Sequence, residues 1–196
     1  AMLGTVYAGC CYSVLDPRQP AARTRQVLDT LAPALLITDA EHADAAAKLS
    51  YSGPILSLES LLTADEDAAL LAARRVQAVD VDPLYINFTS GSTGVPKGVT
   101  VSHRSVLDFI PQFAGIFGIN GDDILGNQAP FDFDVSVKDL YTALYTGAKV
   151  QIIPRAYFSQ PTKLMDYLVD HAVTTLVWAV SAMCFVSIMN GFGYRV

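Results

Sequence analysis

The sequence predicts an α/β fold, a mostly parallel sheet layered with helices. Short apolar runs rich in β-branched residues alternate along the chain with stretches in which apolar residues recur at helical spacing. Pro and Gly lie between these segments as turn formers, and no internal repeat or low-complexity tract is present. Runs this apolar suggest strands covered on both faces, as in parallel sheets with helix crossovers. We therefore expect one continuous fold over residues 1–196.

Each predicted strand is a short apolar run that turn formers bound on both sides. In chain order, the predicted strands cover residues 35–37, 55–58, 84–89, 99–101, 149–153 and 175–178. Each predicted helix is a longer stretch whose apolar residues return every three or four positions. In chain order, the predicted helices cover residues 21–31, 65–76, 105–117, 135–145, 163–171 and 182–190, and Ser102 or Ser105 could cap the third.

The composition excludes several classes of function. With 19 acidic and 13 basic residues the net charge is -6, which offers no positive surface to a nucleic acid or an anionic bilayer. The most apolar stretch, residues 174–189, is too short and too interrupted by Ser and Thr to span a membrane. Cys10, Cys11 and Cys184 have no C-x-x-C or metal-ligand spacing, which predicts a reduced, cytoplasmic protein without a metal site of its own.

A loop dense in glycine and hydroxyl residues follows the predicted strand 84–89 and ends at one lysine. From Thr89 it reads T-S-G-S-T-G-V-P-K-G. Glycines let backbone N–H groups turn into a concave nest, hydroxyls donate to phosphate oxygens, and a lysine adds a compact positive charge. The pattern is not a Walker A loop, because Val95 and Pro96 separate Gly94 from Lys97. Composition alone leaves a phosphate site and a flexible surface turn about equally favoured.

The order of these residues resembles the signature of the adenylate-forming superfamily, which includes acyl-CoA synthetases, luciferases and the adenylation domains of nonribosomal peptide synthetases. That resemblance implies a loop around the β- and γ-phosphates of ATP, which is expected with Mg²⁺. The residues that it assigns to the phosphates are Thr89, Ser90, Gly91, Ser92, Thr93, Gly94 and Lys97.

A second motif, Phe133-Asp134-Val135-Ser136, lies at the start of the predicted helix 135–145. From the residues alone, Asp134 is either a helix cap or a carboxylate that binds the ammonium of an amino acid. The order F-D-x-S resembles amino-acid-activating adenylation domains, including D-alanine:carrier-protein ligases, in which this aspartate holds the α-amino group. The same resemblance makes Val135, Lys138 and Ala182 substrate-binding positions. For Lys138 we expect an ion pair with Asp134 or a solvent-facing side chain.

The resemblance implies that residues 1–196 are part of the N-terminal, ATP- and substrate-binding domain of a longer adenylation enzyme. The implied reaction joins an amino acid to ATP, giving aminoacyl-AMP and pyrophosphate, before transfer to the phosphopantetheine thiol of a carrier protein. No catalytic residue is expected in this part, which would be inactive alone. The alternatives are an acyl- or aryl-CoA synthetase of the same superfamily, or a non-catalytic nucleotide-binding module.

Overall fold

Two parallel strand pairs and one antiparallel pair form the sheets in the part of the chain that the structure describes. The structure is a computed structural model, and it describes residues 1–91 and 94–195. The chain divides into two compact units, Ala1–Ser105 and the remainder from Val106 onward. That residues 1–196 belong to one domain stays a prediction. The boundary lies inside a helix, so no change of composition or linker marks it.

The first unit contains a parallel strand pair, an antiparallel hairpin and the helices around them. Its helix α2 covers the predicted residues 21–31, and its third predicted strand extends by one residue, to Pro83. The elements in chain order are α1 (Met2–Tyr7), α2 (Ala21–Leu31), β1 (Leu36–Thr38), α3 (Ala43–Ala47), β2 (Ile55–Ser57), α4 (Leu58–Leu62), α5 (Ala68–Gln77), β3 (Pro83–Thr89) and β4 (Lys97–Ser102).

The second unit contains the other parallel pair and three helices, and α6 (His103–Phe117) leads into it across the boundary. Two short 3-10 helices cover Arg155–Ser159 and Gly191–Gly193. The remaining elements are β5 (Ile124–Asn127), α7 (Ser136–Thr146), β6 (Lys149–Ile152), α8 (Pro161–Asp170) and α9 (Val180–Ile188). Among the described residues, no helix combines the length and apolar character needed to cross a membrane.

The prediction of a strand over 175–178 was wrong. Thr175 forms a single parallel bridge to Leu125, and the chain then continues without further ladder pairing. Its neighbour β5 was not predicted at all. β5 contains Gly126, where a side chain would have no room: a Cβ built there would lie 2.6 Å from Leu176 Cδ2. The glycine breaks the apolar run in the sequence, yet the packing requires it.

The main apolar core of the second unit lies between α8, α9 and the end of β6. Its buried members are Ile153, Leu164, Leu168, Trp178 and Val186, of which Leu164 and Val186 have no exposed surface. Phe158 packs edge-on against the Trp178 ring at a centroid distance of 5.2 Å. A smaller cluster of Phe113, Ile119, Leu125 and Ala143 lies beneath β5 and α7.

The packed face of α7 is polar as well as apolar. Lys138 and Asp139 are both buried, with side chains 10% and 5% exposed, and Lys138 Nζ lies 2.6 Å from Asp139 Oδ1. The other oxygen of Asp139 accepts a hydrogen bond of 2.9 Å from Asn127 Nδ2 on β5. Burial raises the pKa of Asp139 above its usual value, although Lys138 and Asn127 act in the opposite direction. This Lys138–Asp139–Asn127 network joins α7 to the end of β5.

We expect Leu164→Ala to lower the free energy of unfolding by about 2–5 kcal/mol, because it leaves a cavity in the core of the second unit. Leu144→Ala on α7 is the matched control, since Leu144 is 57% exposed and such changes stay within about 0.5 kcal/mol. Urea unfolding curves of the two variants measure the difference. Equal losses in both would contradict the core assignment.

We expect Lys138→Met to cost about 3–5 kcal/mol of unfolding free energy, because it leaves the Asp139 carboxyl buried without its charge partner. The double variant Lys138→Met/Asp139→Leu removes both charges. It should regain most of that loss, since apolar residues often replace a buried ion pair at little cost. Denaturant unfolding of the native, single and double proteins measures this. A double variant no more stable than Lys138→Met would argue against a buried charge pair.

Candidate functional site

The glycine- and hydroxyl-rich segment connects the two strands of an antiparallel hairpin. The register of β3 and β4 pairs Thr89 with Lys97 at the mouth of the loop. Directly opposite residues project from the same face, so both side chains flank the loop on one side. Thr89, Ser90 and Lys97 are exposed. Lys97 has no acidic partner among the described residues. The strand-to-loop context expected of a phosphate loop is therefore present, although β4 runs antiparallel and is mostly exposed.

The loop is closed by its own backbone. The Gly94 N–H donates to the Gly91 carbonyl at 2.9 Å, and Gly94 has a φ of 79°, a left-handed conformation that favours glycine. Pro96 is buried directly before Lys97. The predicted contact residues Ser92 and Thr93 lie outside the described residues. The other predicted loop residues, Thr89, Ser90, Gly91 and Gly94, are described and lie near Lys97 in the sequence, and Lys97 has no acidic partner among the described residues.

Contacts at the opposite end of the hairpin and along β3 fix its position. The Arg104 guanidinium donates two hydrogen bonds of 2.8 Å to the carboxylate of Asp80 and lowers the pKa of that carboxyl. Ser102 Oγ accepts a hydrogen bond from the Ser105 N–H, so Ser102 is the residue that caps α6. On its other side β3 bonds to Tyr12, whose carbonyl accepts from the Ile86 N–H at 2.9 Å. The loop therefore extends from a strand bonded on both sides.

The Phe133-Asp134-Val135-Ser136 motif forms a closed turn before α7. The Ser136 hydroxyl is buried and donates to the Phe133 carbonyl at 2.7 Å, and the Ser136 N–H donates to the same oxygen at 3.1 Å. The Val137 N–H donates to the backbone carbonyl of Asp134 at 3.0 Å. Ser136 thus fixes the backbone that carries the aspartate. This gives the serine of the motif a physical role in the turn.

The Asp134 carboxylate is exposed, and it has no hydrogen-bond or ion-pair partner within residues 1–91 and 94–195. The residue at the N-cap position of α7 is Val135, so Asp134 does not occupy that position. The helix-cap alternative for Asp134 is therefore wrong. What remains is a carboxylate on a rigid turn, available to a cation.

The structure also corrects the expectation for Lys138. It neither pairs with Asp134 nor faces solvent, because it is buried against Asp139. A charged group inside a protein needs a close partner, and the buried Asp139 supplies one that exposed Asp134 cannot match. Of the other predicted pocket positions, Val135 is 40% exposed at the start of α7, and Ala182 is half-buried in the first turn of α9.

Three successive residues at the carboxyl end of β5 connect these parts of the second unit. The Gly126 carbonyl accepts a hydrogen bond of 2.7 Å from Trp178 Nε1. Asn127 donates to Asp139 of α7, and Gln128 Oε1 accepts from the Ala179 N–H at 3.5 Å. The turn that carries Asp134 and the segment that leads to Ala182 are thus both fixed to one strand end. In α/β folds the carboxyl ends of parallel strands are where ligands bind.

Sequence reasoning did not identify Asn127 or Asp139 as parts of this site. Asp139 stands next to Lys138 in the sequence, which was a usable signal for the ion pair. No signal in the sequence pointed to Asn127, because its role depends on β5 lying beside α7. Thr142 on the same helix is also buried, and its hydroxyl oxygen has no hydrogen-bond partner among the described residues.

Comparisons with known proteins identify the family. The model of the AMP-binding enzyme family matches residues 1–190. An L-proline--[L-prolyl-carrier protein] ligase of Streptomyces coelicolor is 32% identical over 197 residues, covering 91% of this chain and 36% of the relative. A D-alanine--D-alanyl carrier protein ligase of Staphylococcus haemolyticus is 29% identical, and the match covers 93% of this chain and 36% of the relative. The chain therefore spans about a third of the length of these relatives.

The fold agrees with that of solved adenylation enzymes. A crystal structure of a four-domain nonribosomal peptide synthetase bound to AMP and glycine superposes with a TM-score of 0.79 at 26% identity, covering 96% of this chain and 13% of that one. The α/β arrangement with parallel strand pairs is therefore the one found in adenylate-forming enzymes. Since the family model covers nearly the whole sequence, the chain belongs to the AMP-binding enzyme family.

Proposed function

We propose that this chain is the ATP- and substrate-binding part of an enzyme that activates an amino acid as its adenylate. The observation that carries the proposal is the exposed, unpaired carboxylate of Asp134 on a turn fixed by Ser136. An acyl or aryl acid has no ammonium for such a group to bind, whereas an amino acid does. The two ligase relatives, one for L-proline and one for D-alanine and each with a carrier protein, support this choice.

The hairpin loop would hold the β- and γ-phosphates of ATP. Its contacts would come from the side chains of Thr89, Ser90, Ser92, Thr93 and Lys97 and from the backbone at Gly91 and Gly94. Support comes from the exposed, unpaired Lys97 opposite Thr89 and from the left-handed Gly94, which suits a concave backbone. A lysine without an acidic partner can place its ammonium directly against an anion.

The amino-acid pocket would form around the start of α7. Asp134 would bind the α-ammonium, and Val135, Lys138 and Ala182 would lie near the substrate side chain. The hydrogen bonds from the end of β5 to α7 and to the segment before α9 support one pocket at this strand end.

In the proposed reaction, a carboxylate oxygen of the amino acid attacks the α-phosphorus of ATP, the bond to the bridging oxygen breaks, and pyrophosphate leaves. The hairpin loop would stabilise the charge on the departing pyrophosphate, an electrostatic contribution of the kind that dominates phosphoryl-group chemistry. Mg²⁺ would enter with ATP.

The second step would pass the aminoacyl group to the phosphopantetheine thiol of a carrier protein. We propose that residues 1–196 supply only part of the N-terminal domain and no catalytic residue, so that turnover needs the longer protein. The chain matches about a third of the length of each ligase relative, which supports the proposal that it is part of a longer enzyme. The cytoplasmic setting stays a prediction from the cysteine pattern, and all three cysteines are exposed free thiols.

The test is amino-acid-dependent ATP–pyrophosphate exchange by the full-length protein, with this 196-residue chain assayed beside it. The candidate substrates are D-alanine, small and acidic L-amino acids, and fatty and aryl acids. We expect exchange with an amino acid by the full-length protein and none by the chain alone. Exchange only with a fatty or aryl acid would favour an acyl- or aryl-CoA synthetase. No exchange with any acid would favour a non-catalytic nucleotide-binding module.

Two single variants test the proposed amino-acid pocket and the proposed phosphate loop separately. Asp134→Asn removes the charge that would hold the ammonium, so we expect the KM for the amino acid to rise about fivefold while the KM for ATP stays unchanged. Lys97→Ala removes the loop cation, and the main effect should be a loss of kcat/KM for ATP of about tenfold or more. Steady-state exchange kinetics measure both. An unchanged amino-acid KM in Asp134→Asn would contradict the assignment of Asp134.

A further inference from the structure

Lys138 stands four residues after Asp134, a spacing that favours an ion pair between them at the start of a helix. The backbone supports this geometry, because the Asp134 carbonyl accepts the Val137 N–H and Asp134 lies one turn before Lys138. The lysine side chain is long enough to reach the neighbouring turn. Nevertheless, its ammonium lies 2.6 Å from Asp139 Oδ1.

The choice between the two carboxylates follows from burial. Asp134 is exposed, and an ion pair there would be screened by water and would contribute at most about 1 kcal/mol. Asp139 is buried, so its attraction for an ammonium is stronger. Asn127 holds the second oxygen of Asp139 and keeps the carboxylate directed at the lysine. The same three groups that join α7 to β5 therefore also determine where the Lys138 charge lies.

We infer that Asp139 is a positioning residue that holds Lys138 away from Asp134 and so keeps the Asp134 carboxylate free for the ammonium of the substrate. The inference rests on the proposed amino-acid site. A released Lys138 would act on that site in two ways: its ammonium would pair with Asp134, and it would repel the substrate ammonium. Asn127 supports the arrangement through its hydrogen bond to Asp139.

The test uses Asp139→Asn in the full-length protein, which keeps the shape of the side chain but removes its charge. An exposed Asp134–Lys138 ion pair would weaken binding of the substrate ammonium by at most about fivefold. We therefore expect the KM for the amino acid to rise about fivefold, while the KM for ATP stays unchanged. The rise should shrink at high salt, because an exposed Asp134–Lys138 pair is screened. Asp170→Asn at the exposed end of α8 is the matched control and should change neither constant.

Adding Lys138→Met to Asp139→Asn provides the deciding comparison. Lys138 is itself a proposed pocket residue, so Lys138→Met alone is the reference for the double variant. If the lysine masks Asp134, adding Asp139→Asn to Lys138→Met must leave the amino-acid KM unchanged. A role of Asp139 in stability alone predicts the same rise in both backgrounds. An Asp139→Asn protein with unchanged amino-acid KM, or a double variant whose KM exceeds that of Lys138→Met alone, would overturn the inference. If Asp139→Asn does not fold, Asn127→Ala should produce the same change in a weaker form, again only while Lys138 is present.

A crystal structure of the Asp139→Asn variant separates this inference from the proposed function. We expect Lys138 Nζ to lie within about 4 Å of the Asp134 carboxylate in that structure. A lysine that remains buried beside residue 139 would refute the positioning role whatever the enzyme does. Conversely, a full-length protein without amino-acid-dependent exchange would refute the proposed function, even if the lysine moves as expected.

Discussion

The second unit depends on the polar contacts at the carboxyl end of β5. Within three residues, this strand end accepts a bond from a buried tryptophan, donates one to a buried aspartate and accepts one from the chain before α9. Backbone and amide groups at this depth need partners, because an unsatisfied polar group costs free energy. Satisfying them fixes both segments that carry the proposed amino-acid pocket. The same bonds thus serve stability and geometry.

The proposed phosphate loop and the proposed amino-acid pocket each present a charged side chain that is exposed and unpaired among the described residues. Lys97 lies at the mouth of a hairpin loop, exposed and without an acidic partner in the described part of the chain. Asp134 lies on a turn whose stability comes from its neighbours, since Ser136 and the backbone satisfy the local hydrogen bonds without using its carboxylate. In each case, the residues that hold the backbone in place differ from the residue whose charge would bind the ligand. A substitution at the charge can therefore alter binding with little effect on the fold.

How far the sequence predicted this structure depends on the range of the interactions concerned. The strand 84–89, its loop and α2 were predictable because spacing and turn residues act locally. β5 was missed because its glycine interrupts the pattern and because its partners are distant in sequence, Trp178 lying 52 residues from Gly126. The predicted ion pair of Lys138 with Asp134 was wrong for a related reason. Local spacing favours Asp134 as the partner, whereas burial of α7 against β5 favours Asp139. The contacts of Asp134, Val135 and Ala182 with substrate stay predictions.

The register of the β3–β4 hairpin also limits how this region can vary. Thr89 and Lys97 share a face only because they are directly paired, and a slip of one residue would turn Lys97 to the other side of the ribbon. An insertion within β4 would therefore turn the lysine away from Thr89. Engineered variants of this region should retain the length of the loop together with both strands, Pro83–Thr89 and Lys97–Ser102.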